Sequence, residues 1–400
     1  MPDKVKQIIT VLQKAGYEAY AVGGCVRDTL LNREPEDWDI TTSAKPEQIK
    51  RLFRRTVDTG IKHGTVTVLL GKDSFEVTTY RIDGIYEDGR HPKSVAFTES
   101  LAEDLKRRDF TINAMAYNDE AGLVDLFGGK SDLDQRIIRC VGKAEERFEE
   151  DALRILRAVR FSAQLDYEIE KNTREAIRLF SEKLQLISAE RIRTELQKLL
   201  LSNHPEKIQD LYDLGITRIV LEEYDNMSKE EREEICRWLI RSERTVNVRL
   251  AILLLPLQEG AIQVLKRLKY DRKTMTAVPA LIAHAKDEPN ITPKNIRHSI
   301  VEIGTGLMPD MISVKKAICC QSAEYIADYE NMVRTILAAG DCLSLKDLAI
   351  GGSDLIRVMK MKPGKEIGDA LQYLLEQVLS DPSLNEYDTL LKLLSDRRET

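Results

Sequence analysis

The chain contains few of the residues that bind transition metals. Its 400 residues include only five histidines, all isolated, and six cysteines, none of which forms a Cys-x-x-Cys pair. Structural zinc sites combine such residues at short spacing. We therefore expect no zinc centre, and we expect the thiols to be reduced and mostly buried.

Long apolar stretches are also scarce. No apolar run approaches the roughly 18 residues that a membrane-spanning helix needs. The first ten residues carry lysines but lack the apolar core and cleavage site of a secretory signal. These features predict a cytoplasmic protein that does not enter a membrane. The sequence gives no sign of an obligate protein partner.

An excess of basic residues is missing as well, because the net charge is −6 at pH 7. A general nucleic-acid binder usually carries a basic excess, so the overall charge argues against that class. Local fields can still steer a ligand. Basic residues cluster in three places, each of which is either a solvated helix face or part of a basic groove: Lys50, Arg51, Arg54 and Arg55; Lys106, Arg107 and Arg108; and Arg154, Arg157 and Arg160.

The texture of the sequence changes near Lys143. Strand and helix patterns are mixed before it, and helical periodicity dominates after it. The pattern predicts an α+β head with an all-helical remainder, and the length favours two or more domains. In the head, helices are predicted at 5–12, 26–31 and 46–53, strands at 19–22, 37–41, 65–70 and 75–80, and a long polar loop at 82–98.

Gly23 and Gly24 lie where the first predicted strand meets a short helix. Glycines at such a turn let the backbone approach a phosphate, and the helix N-terminus presents N–H groups to it. Arg27 in the first turn is placed to add a charge-assisted hydrogen bond. The alternative is an ordinary tight turn with a surface arginine.

Asp37 and Asp39 flank Trp38 on the next predicted strand. Residues i and i+2 of a strand face the same side, so the two carboxylates would repel unless a cation lies between them. Mg²⁺ prefers oxygen ligands and accepts a site completed by substrate phosphates. Two such ions can hold the attacking and leaving oxygens of a phosphoryl transfer. The alternative is a polar strand end in water.

Asp151, Arg154, Arg157 and Arg160 recur every three residues in a predicted helix over 150–161. Neighbours three apart face one another on a helix, so a salt bridge beside a solvated basic face is one interpretation. The other is selection of a base. Cytosine and adenine each present an amino donor beside a ring acceptor, whereas uracil and guanine present the reverse order. Aspartate only accepts and arginine only donates, so an Asp151–Arg154 pair would match C and A. Arg157 and Arg160 would then be available for triphosphate or RNA backbone.

Five segments, in order, resemble the class II tRNA nucleotidyltransferases, a family that includes bacterial CCA-adding enzymes and poly(A) polymerases. They cover about the first half of the chain, and five ordered matches are hard to obtain by chance. The segments are residues 21–28 (Ala-Val-Gly-Gly-Cys-Val-Arg-Asp) with 37–39; 107–116 (Arg-Arg-Asp-Phe-Thr-Ile-Asn-Ala-Met-Ala); 125–133 (Asp-Leu-Phe-Gly-Gly-Lys-Ser-Asp-Leu) with Ile138 and Arg139; 150–161; and 187–196.

The resemblance implies a polymerase-β-like nucleotidyltransferase head with a mixed sheet at 1–142. It implies a helical neck at 143–215, a helical body at 216–310 and a tRNA-binding tail at 311–400. Metal ligation by Asp37 and Asp39 follows from it, with Glu76 as a third carboxylate nearby and Asp109 ordering Arg108 or meeting the nucleotide sugar. Nucleotide contacts are implied at Gly24, Arg27, Arg108, Asp151, Arg154, Arg157 and Arg160.

The implied activity is Mg²⁺-dependent addition of CMP, CMP and AMP, from CTP and ATP, to the 3′ end of tRNA. The head loop at 81–92 looks complete, which favours the full reaction over CC-only or A-only addition. A poly(A) polymerase is less expected because the tail is not basic, and intact Asp37 and Asp39 argue against an inactive tRNA-binding protein. The isolated histidines exclude the His-Asp phosphohydrolase domain of many relatives. Gly364 and Lys365 either touch tRNA phosphate or only begin a helix.

Overall fold

The structure is a computed structural model that describes residues 1–83 and 95–399. The chain divides into two units, Met1–Arg232 and a second that begins at Glu233. The predicted α+β head with a helical remainder is confirmed. The finer boundaries at 142, 215 and 310 stay predictions.

A mixed sheet forms the head. Its strands follow the order β3-β4-β5-β2-β1-β8-β9, and neighbours are antiparallel except β2 and β5, which are parallel. The strands of this sheet are β1 (Ala19–Val22), β2 (Ile40–Thr42), β3 (Thr56–Gly60), β4 (Thr65–Leu70), β5 (Asp73–Thr79), β8 (Met115–Asn118) and β9 (Gly122–Asp125); β6 (Arg81–Asp83) and β7 (Val95–Phe97) form a separate pair.

Short helices lie around this sheet. The first one buries Val5, Ile8, Ile9 and Leu12, which share one face at helical spacing, and Gly16 follows it with φ +86°. Part of the core consists of Val22, Leu105 and Ala116. The helices are α1 (Asp3–Lys14), α2 (Gly24–Leu30), α3 (Pro46–Leu52), α4 (Leu101–Lys106) and α5 (Gly129–Gln135).

The strand predicted at 37–41 is wrong at its beginning, because β2 starts only at Ile40. The Asp39 carbonyl still accepts from the Val22 amide at 3.0 Å, so this backbone continues alongside β1. Aspartate is disfavoured in strands, and two adjacent carboxylates repel, so the regular ladder starts after them. Asp37 and Asp39 therefore lie just before the strand.

A separate hairpin replaces part of the predicted polar loop. Strands β6 and β7 are antiparallel, with Arg81 opposite Phe97 and Ile82 opposite Ala96. Phe97 packs where a Cβ on Gly64 would come within 2.7 Å of its ring, so only glycine fits at that point. The part of the head loop between the two strands lies outside the described residues.

The rest of the first unit is helical apart from a short parallel pair, β10 (Ile137–Ile138) with β11 (Glu168–Ile169). Helix α6 packs against α8, and α7 packs against α9. The helices are α6 (Ala144–Glu150), α7 (Leu153–Leu165), α8 (Lys171–Phe180), α9 (Ala189–Leu200), α10 (Ile208–Asp213), α11 (Thr217–Val220) and α12 (Glu222–Asp225). Helix α13 (Lys229–Arg241) begins in this unit and continues into the second.

In the second unit, α14 packs against α16 and α18, and α17 packs against α19 and α21. The stretch Val246–Arg267 is long and apolar enough to cross a membrane by length and composition, but 61% of its apolar window is buried, as in a core helix. The helices are α14 (Val246–Leu254), α15 (Ala261–Arg267), α16 (Arg272–His284), α17 (Pro293–Ile303), α18 (Met308–Ile318), α19 (Ala323–Ala339), α20 (Gly352–Met359), α21 (Lys365–Ser380) and α22 (Tyr387–Glu399).

Candidate active site

Two arginines pack over the Gly23-Gly24 turn. Gly23 has φ +83°, and a Cβ at this position would come 3.2 Å from Arg108 Nη1. A Cβ on Gly24 would come 3.6 Å from Arg27 Nη2. Gly23 is therefore required both by its left-handed backbone and by the close approach of a guanidinium.

Arg27 is held rather than freely solvated, since only 12% of its side chain is exposed. Its Nε and Nη2 donate to the Asp28 carboxylate at 2.8 and 2.9 Å, and its Nη1 donates to Asn113 Oδ1 at 2.7 Å. Arg27 is therefore not a freely solvated surface arginine, and its contact with a phosphate stays a prediction. The guanidinium is fixed beside a backbone turn that suits an anion.

Three carboxylates gather at the adjoining end of the sheet. Ile40 is paired with Val77, so continuing the register places Asp39 beside Glu76. Desolvation by the surrounding protein raises the pKa of Asp39 above its ordinary value. The charge of Arg108 opposes this shift, and the charge of Asp37 adds to it. Desolvation followed by the charges of Asp39 and Asp37 likewise raises the pKa of Glu76. Asp37, Asp39 and Glu76 therefore share one negative field.

The oxygens of this field fit a hard divalent cation. The side chains of Asp37, Asp39 and Glu76 are solvent-accessible. No group of three or more metal-binding side chains is arranged as a complete ligand set in the described ranges. Mg²⁺ needs only one or two carboxylates when water and substrate phosphates complete its shell. A two-carboxylate site open to substrate suits that requirement.

Asp151 differs from its predicted placement, because it precedes α7 instead of lying within it. Its backbone is extended, with φ −146° and ψ 103°. Its Oδ1 accepts from the Leu153 amide at 3.0 Å, and its carbonyl accepts from the Arg154 amide at 3.1 Å. The Asp151 carboxylate thus accepts a hydrogen bond from the first residue of α7, at a helix start where aspartate is favoured. The single helical face predicted for Asp151 and the three arginines is wrong at its first member.

Asp151 and Arg154 have separate partners at this junction. Asp151 Oδ2 accepts from Arg191 of α9 at 2.7 Å. Arg154 Nη1 donates to Glu150 Oε2 at 2.5 Å, and its Nη2 donates to the Arg107 carbonyl at 2.8 Å. Arg154 is 8% exposed. The side chain of Arg154, at the start of α7, is therefore bonded to the main chain of the Lys106–Arg108 cluster.

Asp109 connects the head to α7. Arg157 donates to Asp109 Oδ2 through Nε at 2.8 Å and Nη2 at 2.5 Å, while Asn113 Nδ2 donates to Oδ1 at 3.2 Å. Burial alone would raise the pKa of Asp109, but the Arg157 guanidinium holds it far below its ordinary value. A continuous chain runs from Arg27 through Asn113 and Asp109 to Arg157.

Phe161 is surrounded by three guanidinium groups. Those of Arg27, Arg157 and Arg160 lie 5.2, 5.4 and 3.8 Å from its ring centre. Arg160 also donates to Glu195 of α9 at 2.6 Å, in a pair that is almost completely buried. The negative face of the ring and the Glu195 carboxylate offset the repulsion between these like charges.

Several residues that bond to or pack against the predicted site residues were not singled out by sequence reasoning. They are Asp104, Asn113, Glu150, Phe161, Arg191 and Glu195. All except Asp104 lie within the five segments quoted above. The available signal for Asp104 was its spacing of three and four residues from Arg107 and Arg108, which suits contact on a helix.

The chain matches three family descriptions in succession. They are the Poly A polymerase head domain at 19–139, the probable RNA and SrmB-binding site of polymerase A at 166–228, and the putative tRNA nucleotidyltransferase domain 2 at 241–394. It is 37% identical to the CCA-adding enzyme of Pediococcus pentosaceus over 99% of this chain and 98% of that protein. The chain belongs to the CCA-adding enzyme family.

Other members show the same full-length likeness. The CCA-adding enzyme of Lactobacillus helveticus is 38% identical over 99% of this chain and 98% of its own length. The solved structure of the Bacillus stearothermophilus CCA-adding enzyme in complex with CTP covers both chains completely, with 30% identity and a TM-score of 0.84. This nucleotidyltransferase therefore shares both the sequence and the fold of its family throughout.

Proposed function

We propose that this chain is a CCA-adding tRNA nucleotidyltransferase, which adds CMP, CMP and AMP to the 3′ end of tRNA and releases pyrophosphate. The observation that carries the proposal is the continuous site in the first unit. There, Asp39 lies near both Arg108 and Asp37, and Arg27 is linked through Asn113 and Asp109 to Arg157. The full-length identity to CCA-adding enzymes supports the same conclusion.

Asp37 and Asp39 are the proposed ligands of Mg²⁺, with Glu76 as a further carboxylate beside them. Mg²⁺ bound there would lower the pKa of the attacking 3′ hydroxyl and neutralise charge on the leaving pyrophosphate. Asp39 is coupled to Arg108. The cation ligands and a triphosphate-binding arginine are therefore adjacent in the head.

Arg27, Arg108 and the backbone of Gly24 are the proposed triphosphate contacts. Both arginines are mostly buried and oriented by acidic partners, so binding does not have to restrict freely moving side chains. Arg157 and Arg160, fixed by Asp109 and Glu195, extend this positive field along α7. Asp109 thereby orients Arg157 in this structure, in place of the expected Arg108.

Base choice is assigned to Asp151 and Arg154 at the junction of α6 and α7. Asp151 would accept from the amino group of cytosine or adenine, and Arg154 would donate to the ring nitrogen. Arg191 holds Asp151 and Glu150 holds Arg154 in the structure described here. Entry of CTP or ATP would therefore replace these bonds by bonds to the base. Uracil or guanine would break the same bonds without forming matching ones, so Asp151 and Arg154 would lose hydrogen bonds.

The tail at 311–400 is proposed to bind tRNA, with Gly364 and Lys365 at the start of α21 as candidate phosphate contacts. Gly364 has φ +142° and precedes a helix of 16 residues. The match of 241–394 to a tRNA nucleotidyltransferase domain supports this assignment. A cytoplasmic location is proposed with it.

The test uses tRNA that ends before CCA and tRNA that ends in CC, each incubated with CTP, ATP or both, and read at nucleotide resolution. A CCA-adding enzyme extends the first tRNA by two residues with CTP alone and by three with both nucleotides. A long ladder with ATP alone would identify a poly(A) polymerase. Arrest after CC, or addition of A to tRNA-CC only, would identify a partial enzyme, and no extension would indicate a tRNA-binding protein.

A further inference from the structure

Asp104, within α4, is completely buried but lies outside all the segments that carry the family resemblance. Its Oδ1 accepts from Arg107 Nε and Nη2 at 3.0 and 2.7 Å and from the Arg81 amide at 3.3 Å. Its Oδ2 accepts from Arg108 Nη2 at 3.3 Å and from Thr41 Oγ1 at 3.2 Å. Two guanidinium groups, a hydroxyl and a main-chain amide thus converge on one carboxylate.

The carboxylate is ionised in this position. Burial alone would raise the pKa of Asp104, but the charges of Arg107 and Arg108 lower it below the ordinary value. A buried charge is tolerated only when partners surround it, so the positions of both arginines are tied to that of Asp104.

Each partner leads to a different part of the nucleotide site. Thr41 belongs to β2 and lies two residues after Asp39. Arg108 packs over Gly23 at the proposed triphosphate turn. The Arg107 side chain is held by Asp104, and the Arg107 carbonyl accepts from Arg154 Nη2 at 2.8 Å. Asp104 therefore contacts β2, the strand that follows the proposed cation ligands. It also bonds to the segment that contains Arg108 and whose Arg107 carbonyl holds the base-choosing Arg154.

We propose that Asp104 is a positioning residue for nucleotide recognition, which fixes the positions of the Arg108 side chain and the Arg107 carbonyl relative to β2. The inference rests on the proposed function, since it assigns Asp104 to the same nucleotide site. A buried acid that only stabilised the head would affect folding, whereas a positioning residue affects how tightly CTP and ATP are held once the protein has folded.

The first experiment compares Asp104→Asn with the unmodified chain. Asparagine keeps the shape and one acceptor but removes the charge that holds two arginines. We expect the KM for CTP and ATP to rise about tenfold or more, with a smaller change in kcat, and CTP binding measured by calorimetry to weaken in parallel. A lower melting temperature with unchanged KM and CTP affinity would overturn the proposal.

A double-mutant cycle tests whether the effect passes through Arg108. If it does, adding Asp104→Asn to Arg108→Ala should raise KM little beyond the single Arg108→Ala variant. If the double variant instead raised KM by the product of the two single effects, the effect of Asp104 would not pass through Arg108. The cycle separates positioning from general weakening of the head, because general weakening does not depend on the presence of the Arg108 side chain.

Two threonines provide the decisive pair should Asp104→Asn fail to fold. Thr41→Val removes the hydroxyl that reaches both Asp104 and the Thr78 carbonyl, whereas the equally buried Thr42 bonds to the main chain of Glu18 and Ala44 instead. We expect Thr41→Val to raise KM about two- to fivefold and Thr42→Val to leave it unchanged, even where it lowers the melting temperature. Equal KM values in both variants would overturn the proposal. An unmodified chain that adds no CMP to tRNA would instead refute the proposed function, while CTP calorimetry still decides the role of Asp104.

Discussion

Three buried acids of the first unit are paired with arginine side chains, whereas a buried lysine of the second unit is bonded to main-chain carbonyls. Asp104, Asp109 and Glu195 each bond to arginines that line the proposed nucleotide site. Lys315 of α18 donates to the carbonyls of His284, Ala285 and Asp287, which lie at and just after the end of α16. In one unit, burial of charge organises side chains that can meet a ligand. In the other, it completes the hydrogen bonding of a helix end.

The difference has a physical basis. A buried ion pair contributes little net stability because desolvation offsets its attraction, so such pairs are poor devices for holding a fold together. The last carbonyls of a helix, by contrast, have no partner within the helix and must find donors elsewhere. Paired acids gathered beside one proposed site indicate function, whereas a lysine bonded to the carbonyls at a helix end indicates structure. Variants in the two units should therefore differ in what they change.

The largest effect should come from the carboxylates at the sheet end. Asp37→Ala or Asp39→Ala should lower CMP incorporation at saturating Mg²⁺ by at least about a thousandfold, because the cation loses a direct ligand. Binding of tRNA, measured by gel shift, should persist since its contacts are elsewhere. Asp58→Ala is the matched control, because Asp58 is exposed and pairs with Lys50 in a surface bridge. Near-normal incorporation by either site variant would remove that residue from the proposed cation site.

A selective effect should follow from the junction of α6 and α7. Asp151→Ala removes the acceptor proposed for the amino group of C and A, and should raise the ratio of UMP to CMP added by about one to two orders of magnitude. Transfer itself should continue because Asp37 and Asp39 remain. Glu149→Ala serves as the control, since Glu149 is exposed and bridges to Lys183. Normal selectivity in both Asp151→Ala and Arg154→Ala would show that the base is chosen by other residues.

Local sequence patterns predicted much of the head. The strand of Ala19–Val22, the helix from Asp3 and the Gly-Gly turn with Arg27 depend on periodicity and glycine conformations that a short window contains. The arginines of α7 were likewise visible from their spacing. The same reasoning placed Asp151 inside the helix, because its spacing of three matched the arginines although its carboxylate serves the helix start.

Long-range pairing was the part that the sequence could not supply. Asp151 is paired with Arg191, which lies 40 residues away along the chain, and Arg160 is paired with Glu195, which lies 35 residues away. Which acid meets which arginine depends on how α7 packs against α9, and helical periodicity carries no information on that choice. The contacts of Asp104 with Thr41 and the Arg81 amide were missed for the same reason, because they join α4 to β2 and β6, which lie 63 and 23 residues away in the sequence.

The smallest effect on activity should come from Lys315, which tests the other side of the comparison. Lys315→Met keeps the apolar stem but leaves three carbonyls without their donor, so we expect the second unit to lose about 1–3 kcal/mol of stability in thermal unfolding. The neighbouring Lys316→Met is the matched control: Lys316 is half exposed and bridges to Glu330, so its loss should cost less than about 1 kcal/mol. Neither variant should alter the ratio of UMP to CMP incorporated, because neither residue belongs to the nucleotide network. A stability unchanged by Lys315→Met would show that the carbonyls find other donors. A change in nucleotide choice would break the distinction itself, since a charge that only completes a helix end has no means of selecting a base.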